Sequence, residues 1–506
     1  MPMPSTGIIM LWLLSGIAII NSCVNGYDGS MMNGMQSLAQ WQSYFNTPDG
    51  PTLGLLNAIF NAGGTVGVFF APYVTDKLGR RLGIAIGSVI ILIGVILQSA
   101  AQNIHQFIGG RFVIGYGLAI SGNAAPILVA ELAHPHFRGT ITGLYNTQWA
   151  LGSIIAAWVT FGTFSINGQA AWRIPSAVQA APSVILLIFL PFMPESPRWL
   201  VDKGKSDKAR AILGKLHGNG NINDPLVNLE MEEIEEAINF ERQNEKASYL
   251  ELVATPGNRY RMFLGITVGL FSQWSGNGLI SYYLFKVLDN IGITDSKTQL
   301  LINGGLSIYS WILANTGAFI TDRVNRRPQF LTATIGMMAS FAALTAATGV
   351  YNENGNNAAG IAVIVLIFVY SAAYSLAWTA LTVLYPTEIM PYNIRAKGLA
   401  VSSLAVNLAL FFNSYVNPIG LDNIGWKYYF VYVAWLPIEV VTIFFFYKET
   451  KGRTLEELAV IFDGEVAAVA GNTDAVTHPD AEKAYIEQAE KVSSEEQFET
   501  SSTAAK

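Results

Sequence analysis

Cysteine and charge are both scarce in this chain. A single cysteine, Cys23, among 506 residues excludes a disulfide framework and any CxxC metal or redox site. Charged residues make up only 13% of the chain, against roughly a quarter in soluble globular domains. There is no phosphate-cradling Gly-Lys-Ser/Thr loop, no His-Glu-x-x-His and no Gly-x-Ser-x-Gly, so nucleotide, zinc-protease and acyl-transfer chemistry have no foothold. His134-Pro-His136 lacks a carboxylate or thiol beside it and reads as a basic turn rather than a metal pair. No enzyme activity and no cofactor is expected. The net charge of −6 sits largely in a central loop and the tail, and makes no case for a nucleic-acid partner. The first apolar run has no basic start and no small-residue cleavage site, so it reads as a membrane span rather than a removable signal.

Apolar surface, by contrast, is abundant. Half of the residues are hydrophobic, 12% are aromatic and the mean hydropathy is +0.35, which places the chain in a lipid bilayer. Runs long enough to cross as helices lie at roughly 7–27, 54–75, 82–101, 107–130, 140–163 and 172–193, then 260–286, 298–321, 328–349, 360–384, 397–417 and 427–447. Twelve spans are expected in two sets of six. The loops 29–53, 102–106, 164–171, 350–359 and 418–425 hold no Lys or Arg, whereas 76–81, 134–139, 322–328 and 391–397 are basic. The basic loops, and with them both termini, are therefore expected in the cytoplasm. The expected units are 1–193, a linker at 194–259 with amphipathic helices from Ser206 and from Leu226, a second bundle at 260–447, and an acidic, disordered tail at 448–506.

Three charged strings occur twice in the same order. Asp76-Lys-Leu-Gly-Arg80-Arg81 returns as Asp322-Arg-Val-Asn-Arg326-Arg327, an offset of 246. Glu131 with Arg138 returns as Glu388 with Arg395, and Glu195 returns as Glu449, at offsets of 257 and 254. Three collinear matches at about half the chain length indicate two copies of one unit. Carboxylates and guanidiniums at the membrane edge form charge-assisted pairs. They read as a latch that holds the two halves together on the cytoplasmic side and parts when the halves rock. The plainer reading is that these arginines only anchor topology, although topology does not require Asp76, Glu131, Asp322 and Glu388 at matching offsets. Asn325 stands where the first copy has glycine, which puts the tightness of that turn in question.

Asp76-x-x-Gly-Arg-Arg, Arg138-Gly, Pro194-Glu-Ser-Pro-Arg198-Trp and Glu449-Thr-Lys-Gly-Arg453-Thr-Leu-Glu-Glu together resemble the sugar porter family of the major facilitator superfamily, over about 7–463. Gly26-Tyr-Asp-Gly-Ser-Met-Met-Asn-Gly, Gly143-Leu-Tyr-Asn-Thr-Gln-Trp and Gln273-Trp-Ser-Gly-Asn277-Gly-Leu-Ile-Ser-Tyr282-Tyr283 are most similar to its fungal lactose permease and cellodextrin transporter branch. The resemblance implies an all-helical bundle of two six-helix halves in the plasma membrane of a fungal cell. It also implies secondary transport of a mono- or disaccharide through a central site, with proton symport or facilitated diffusion as the two modes. It does not settle the sugar or the oligomeric state. Two other readings are a non-transporting sugar sensor, which the short tail disfavours, and an exporter of amphipathic compounds, against which the polar seventh span argues.

Asp28 near the outer end of the first span and Arg111 near the outer start of the fourth are costly to bury singly, so the two are expected to pair. The family resemblance implies that such an Asp carries the proton and the Arg is its partner; the alternative is a structural salt bridge in a uniporter. Glu439, two residues after Pro437, reads as a hydrogen-bonded structural acid. Sugar recognition calls for neutral donors and acceptors with aromatic faces. Asn146, Gln273, Asn277, Tyr282 and Tyr283 supply such groups, and Trp378 is a candidate stacking platform, although aromatic residues in spans also face lipid or neighbouring helices. Against the monosaccharide porters, Asn146 stands in place of Gln, Ser272 in place of the first Gln of a pair, and Gly278 in place of a later Asn.

Overall fold

In the computed structural model, residues 6–133, 138–218, 220–244, 249–321, 323–451, 458 and 461–462 are described, with main chain alone at 6–15, 17–19, 138–147, 240–244, 392, 393 and 396. Every regular element among them is helical, because in lipid each main-chain polar group must find its partner within its own segment. The first six spans are Thr6–Met35, Gly50–Leu78, Arg80–Ser99, Ile104–Leu132, Arg138–Thr163, and Ala170–Val178 continued by Ala180–Phe189. The seventh is built of Pro256–Trp274, Asn277–Tyr282 and Leu284–Asp289. Ser296–Thr321, Arg326–Asn354, Asn357–Ile389, Tyr392–Ile424 and Tyr429–Phe446 complete the set. By length and composition, seven helical stretches among the described residues are apolar enough to cross a membrane unaided, one of them running from the eleventh span through the twelfth.

Glycine lets the helices of the first half approach closely. The third span packs on the fourth with Gly87 against Gly117 and Gly94 against Gly110. A Cβ at Gly87 would lie 2.5 Å from Ser121 N and 2.7 Å from Gly117 O, both main-chain atoms that cannot swing aside. Gly87→Leu should therefore cost about 1–3 kcal/mol through overpacking. It should lower the unfolding temperature in detergent, whereas Gly122→Ala, with open space beside it, should leave that temperature unchanged.

The two halves meet through the second and eleventh spans and through the fifth and eighth. A Cβ at Gly54 would lie 2.5 Å from Tyr415 O, and one at Gly304 would lie 3.2 Å from the Trp158 ring. The hydrogen bonds that cross between the halves lie toward the edge away from Arg80 and Arg326. Asn33 Nδ2 donates to Asn303 Oδ1 at 2.9 Å, Leu284 N to Asn33 Oδ1 at 3.2 Å, Gln36 Nε2 to Tyr282 O at 3.1 Å, and Ser296 Oγ to Ser37 O at 2.7 Å. Asn61 Nδ2 of the second span also donates to Ser414 Oγ of the eleventh at 3.3 Å. Among the described residues, no hydrogen bond joins the halves at the opposite edge. The bundle is thus closed at one end.

Pro197–Asp202, Ser206–Leu216 and Pro225–Asn244 form a small layer at the Arg80 edge around Leu200, Leu213, Val227 and Met231. It docks on the first half through Trp199 Nε1, which donates to Asp76 O at 2.8 Å, and through His217, whose Nε2 lies 3.2 Å from Leu132 O and whose Nδ1 lies 2.7 Å from Glu230.

Candidate functional site

The seventh span breaks where its polar residues cluster. Gly276 takes φ +101°, a left-handed conformation open to glycine, and Tyr283 leaves the helix at φ −135° and ψ 26°. Gln273, Asn277, Ser281 and Tyr282 sit half-buried around the first break. Gln273 Nε2 donates to Ser272 Oγ at 3.2 Å, and Asn277 Oδ1 accepts from Ser281 Oγ at 2.9 Å. Tyr282 O accepts from Gln36 Nε2 of the first half at 3.1 Å, which puts this cluster at the junction of the halves. The groups on offer are neutral donors and acceptors beside an aromatic ring, suited to hydroxyl-rich ligands.

Two of the expected ligands are differently employed. Trp378 is fully buried; its indole donates to Thr334 Oγ1 at 3.2 Å and meets Phe330 edge-on at 4.9 Å. The broad ring fills the aromatic core of the second half, where Phe330 in turn meets Tyr385 and Tyr447 edge-on, and it offers no face to a ligand in this state. Tyr283 is likewise fully buried and donates its hydroxyl to Ser414 O, so it belongs to the closed end. The side chains of Asn146 and Arg138 lie outside the described residues. Asn33, Gln36 and Asn303 were not anticipated as functional. Asn33 lies inside the Gly26 string, and its position at the helix end nearest the closed edge is a signal that placement along the span contained.

Asp28 and Arg111 are both buried, yet the expected carboxylate–guanidinium contact is not made. Arg111 Nη1 donates to the Asp28 main-chain carbonyl at 2.9 Å and its Nε to Leu56 O at 3.4 Å, while the guanidinium lies over the Phe60 ring at 4.8 Å. The guanidinium is satisfied by main-chain oxygens and a π face, which leaves the carboxylate oxygens with no hydrogen-bond partner among the described residues. The Gln179 amide is the other polar group acting on that carboxylate, and Gln98 Nε2 donates to Gln179 Oε1 at 3.2 Å. Glu439 is fully buried, with the Trp435 indole as the polar group acting on its carboxylate.

The duplicated charges build two sites with the same pattern of partners. In the first, Arg80 Nε and Nη2 donate to the Glu131 carboxylate at 3.1 and 3.3 Å, Nη1 reaches Thr75 O at 3.3 Å, and Asp76 lies 3.5 Å away. In the second, Arg326 Nε and Nη2 donate to Glu388 Oε1 at 3.2 and 2.8 Å, and Nη1 donates to Thr321 O. Glu195 Oε1 accepts from Arg80 N at 3.0 Å and from Ser196 N at 2.9 Å; Glu449 accepts from Arg326 N at 2.9 Å and from Arg327 N at 3.1 Å. Each of these glutamates sits on the first N–H groups of a span, where a helix favours an anion. Burial pushes the Glu195 carboxyl above the ordinary glutamate value, against the pull of the Ser196, Arg81 and Arg80 N–H groups. The two arginine tips go elsewhere: Arg81 to Pro191 O at 3.2 Å and Arg327 to Phe444 O. Arg395 Nε donates to Met390 O at 3.1 Å, and Asp322 lies outside the described residues. Every one of these bonds stays within its own half. A duplicated unit carries both members of each pair, so in this state, with the bundle closed at the other edge, the pairs close within their own halves, and a bridge between the halves belongs to the state in which this edge is shut. Asn325 has φ −65° and ψ 143°, ordinary extended backbone, so its turn does not need the glycine that Gly79 supplies at φ +100°.

The family model described as "Sugar (and other) transporter" matches residues 14–462. The chain is 32% identical to the MFS-type transporter criB of Aspergillus cristatus, over 88% of this chain and 92% of that one. It is 28% identical to the high-affinity glucose transporter of Kluyveromyces lactis, over 88% and 84%. Its fold is similar to the inward-open xylose transporter XylE of E. coli, with a TM-score of 0.74, 21% identity, and coverage of 89% of this chain and 100% of that one. The protein is a multi-pass membrane transporter, not an enzyme, and it belongs to the sugar porter family of the major facilitator superfamily.

Proposed function

We propose that this transporter moves a sugar, mono- or disaccharide, across the plasma membrane by alternating access, with a proton carried in through Asp28. The observation that carries this reading is the broken seventh span, which holds Gln273, Asn277 and Tyr282 half-buried at the junction of two halves that are hydrogen-bonded together at one end. Broken spans at a repeat interface are where secondary transporters bind their substrates. The glucose transporter among its relatives supports the sugar class. The Lys and Arg bias assigns the Arg80 and Arg326 edge, and both termini, to the cytoplasm. The closed end then faces outward. The rocking bodies are 1–193 and 260–447, with 194–259 as the cytoplasmic layer and 448–506 as the tail.

Proton coupling is favoured over uniport by the Asp28 carboxylate, which is not bound up in the structural salt bridge that a uniporter reading supposes. Uptake of labelled D-glucose, D-xylose, lactose and cellobiose by the full chain in a transporter-null host tests the function; saturable uptake of one or more supports it, and uptake of none overturns it. Gln273→Ala should raise the half-saturation constant several-fold, since a lost neutral hydrogen bond costs about 1 kcal/mol. Lower surface abundance with an unchanged constant would make Gln273 a packing residue.

A further inference from the structure

A helix that stops inside a membrane leaves its last carbonyls without main-chain donors. Pro256–Trp274 stops at the Gly276 break, and side chains from other spans answer three of the carbonyls there. Tyr374 donates its hydroxyl to Ser272 O at 3.0 Å, Asn413 its amide to Gln273 O at 2.8 Å, and Tyr370 its hydroxyl to Ser275 O at 2.9 Å. Tyr370 and Tyr374 stand one turn apart on the tenth span; Asn413 is on the eleventh. Asn413 is itself held, since its Oδ1 accepts from the Tyr432 hydroxyl of the twelfth span at 2.8 Å. The tenth, eleventh and twelfth spans thus converge on the main chain that presents Gln273.

Gly278 belongs to the same arrangement. A Cβ there would lie 3.0 Å from Asn413 Cγ and 3.1 Å from Asn417 Nδ2, so a side chain at 278 and this pair of amides compete for one space. The seventh span carries its amide one position earlier, at Asn277, and leaves 278 bare for Asn413.

We infer that Tyr370, Tyr374 and Asn413 are positioning residues for the proposed sugar site: they clamp the broken end of the seventh span and so fix where Gln273 and Asn277 point. The inference rests on the reading of Gln273 as a sugar ligand. Their polar atoms are engaged with main chain, so they act on the sugar through Gln273 rather than by contact. Small errors of aim at a binding group weaken binding far more than they weaken folding.

The test is a double-mutant cycle in proteoliposomes with the full chain, read with the sugar of the four-member panel that the unaltered protein carries fastest. Tyr374→Phe and Tyr370→Phe keep each ring in place and remove one hydroxyl. Each should raise KM about fivefold with kcat held within about twofold. In a Gln273→Ala background the same changes should raise KM by less than about twofold, because there is no longer an aim to spoil. A fivefold effect in both backgrounds would make the tyrosines independent ligands and overturn the inference, as would unchanged KM in both tyrosine variants alongside a Gln273→Ala variant that is impaired. Unchanged KM in Gln273→Ala itself would remove the ligand reading, and this inference with it. If Tyr370→Phe is too unstable to assay, Tyr374→Phe decides, since its hydroxyl is on a half-buried side chain.

Discussion

Asp28→Asn should abolish sugar accumulation driven by an imposed pH gradient while leaving downhill exchange close to normal. An amide cannot take up or release the proton, so the gradient loses its hold on the transport cycle. The structural cost of the change should be small. Arg111 is bound to the Asp28 main-chain carbonyl and to Leu56 O, and both bonds survive the substitution. The carboxylate oxygens have no hydrogen-bond partner to lose among the described residues. Asn also mimics the uncharged acid in shape, so the halves can still rock around it. Coupling and movement should come apart in a single variant, assayed as accumulation and as counterflow in the same vesicles. Accumulation retained by Asp28→Asn would remove this residue from the proton path. No accumulation by the unaltered protein at any imposed gradient would make it a uniporter.

Arg326→Ala should be the most damaging single change among the duplicated charges. Arg326 is more enclosed than Arg80, with 9% of its side chain exposed against 12%, and it satisfies both the Glu388 carboxylate and Thr321 O. Its loss leaves Glu388 with the Thr450 hydroxyl as its other described partner. The expected cost is about 3 kcal/mol, toward the low end for a broken buried pair because Glu388 keeps 21% of its side chain in solvent. Arg326→Lys separates this account from topology anchoring. Lysine satisfies the positive-inside rule but has no planar fork to bind Glu388 and the carbonyl together. The lysine variant should therefore remain nearly as unstable in a detergent melt, and nearly as slow in uptake, as the alanine variant. A lysine variant indistinguishable from the unaltered protein would reduce Arg326 to a topology signal.

The family, the twelve spans and the duplicated charges were legible because each leaves a local mark. Bilayer-length apolar runs are unambiguous, and the offsets between Asp76, Glu131, Glu195 and their second copies need no three-dimensional knowledge. The helices at Ser206–Leu216 and Pro225–Asn244 likewise follow from their amphipathic spacing. Partnership was not legible. Sequence offers no way to tell that Arg80 reaches Glu131 in its own half rather than a carboxylate across the interface. It offers none to tell that Arg111 takes the Asp28 carbonyl in place of the carboxylate, because main-chain oxygens are present at every position and leave no signature. The burial of Trp378 in this state was not legible for a related reason: whether an indole turns to a neighbouring helix or to Phe330 depends on helix rotation, which an apolar span does not record. Tyr370, Tyr374 and Asn413 became visible only once the break at Gly276 placed three open carbonyls in front of them.

The claim at the centre of the account is that transport requires the closed end, held by Asn33 and Asn303, to open. The chain has one native cysteine, which is buried, so a pair of engineered thiols can be addressed without interference. In full-length protein carrying Asn33→Cys and Asn303→Cys, a short bis-maleimide bridge should hold that end shut. Sugar uptake into proteoliposomes should then fall to background in the bridged protein and persist in the same protein left unbridged. Uptake at an equal rate before and after complete bridging would contradict alternating access about this seal.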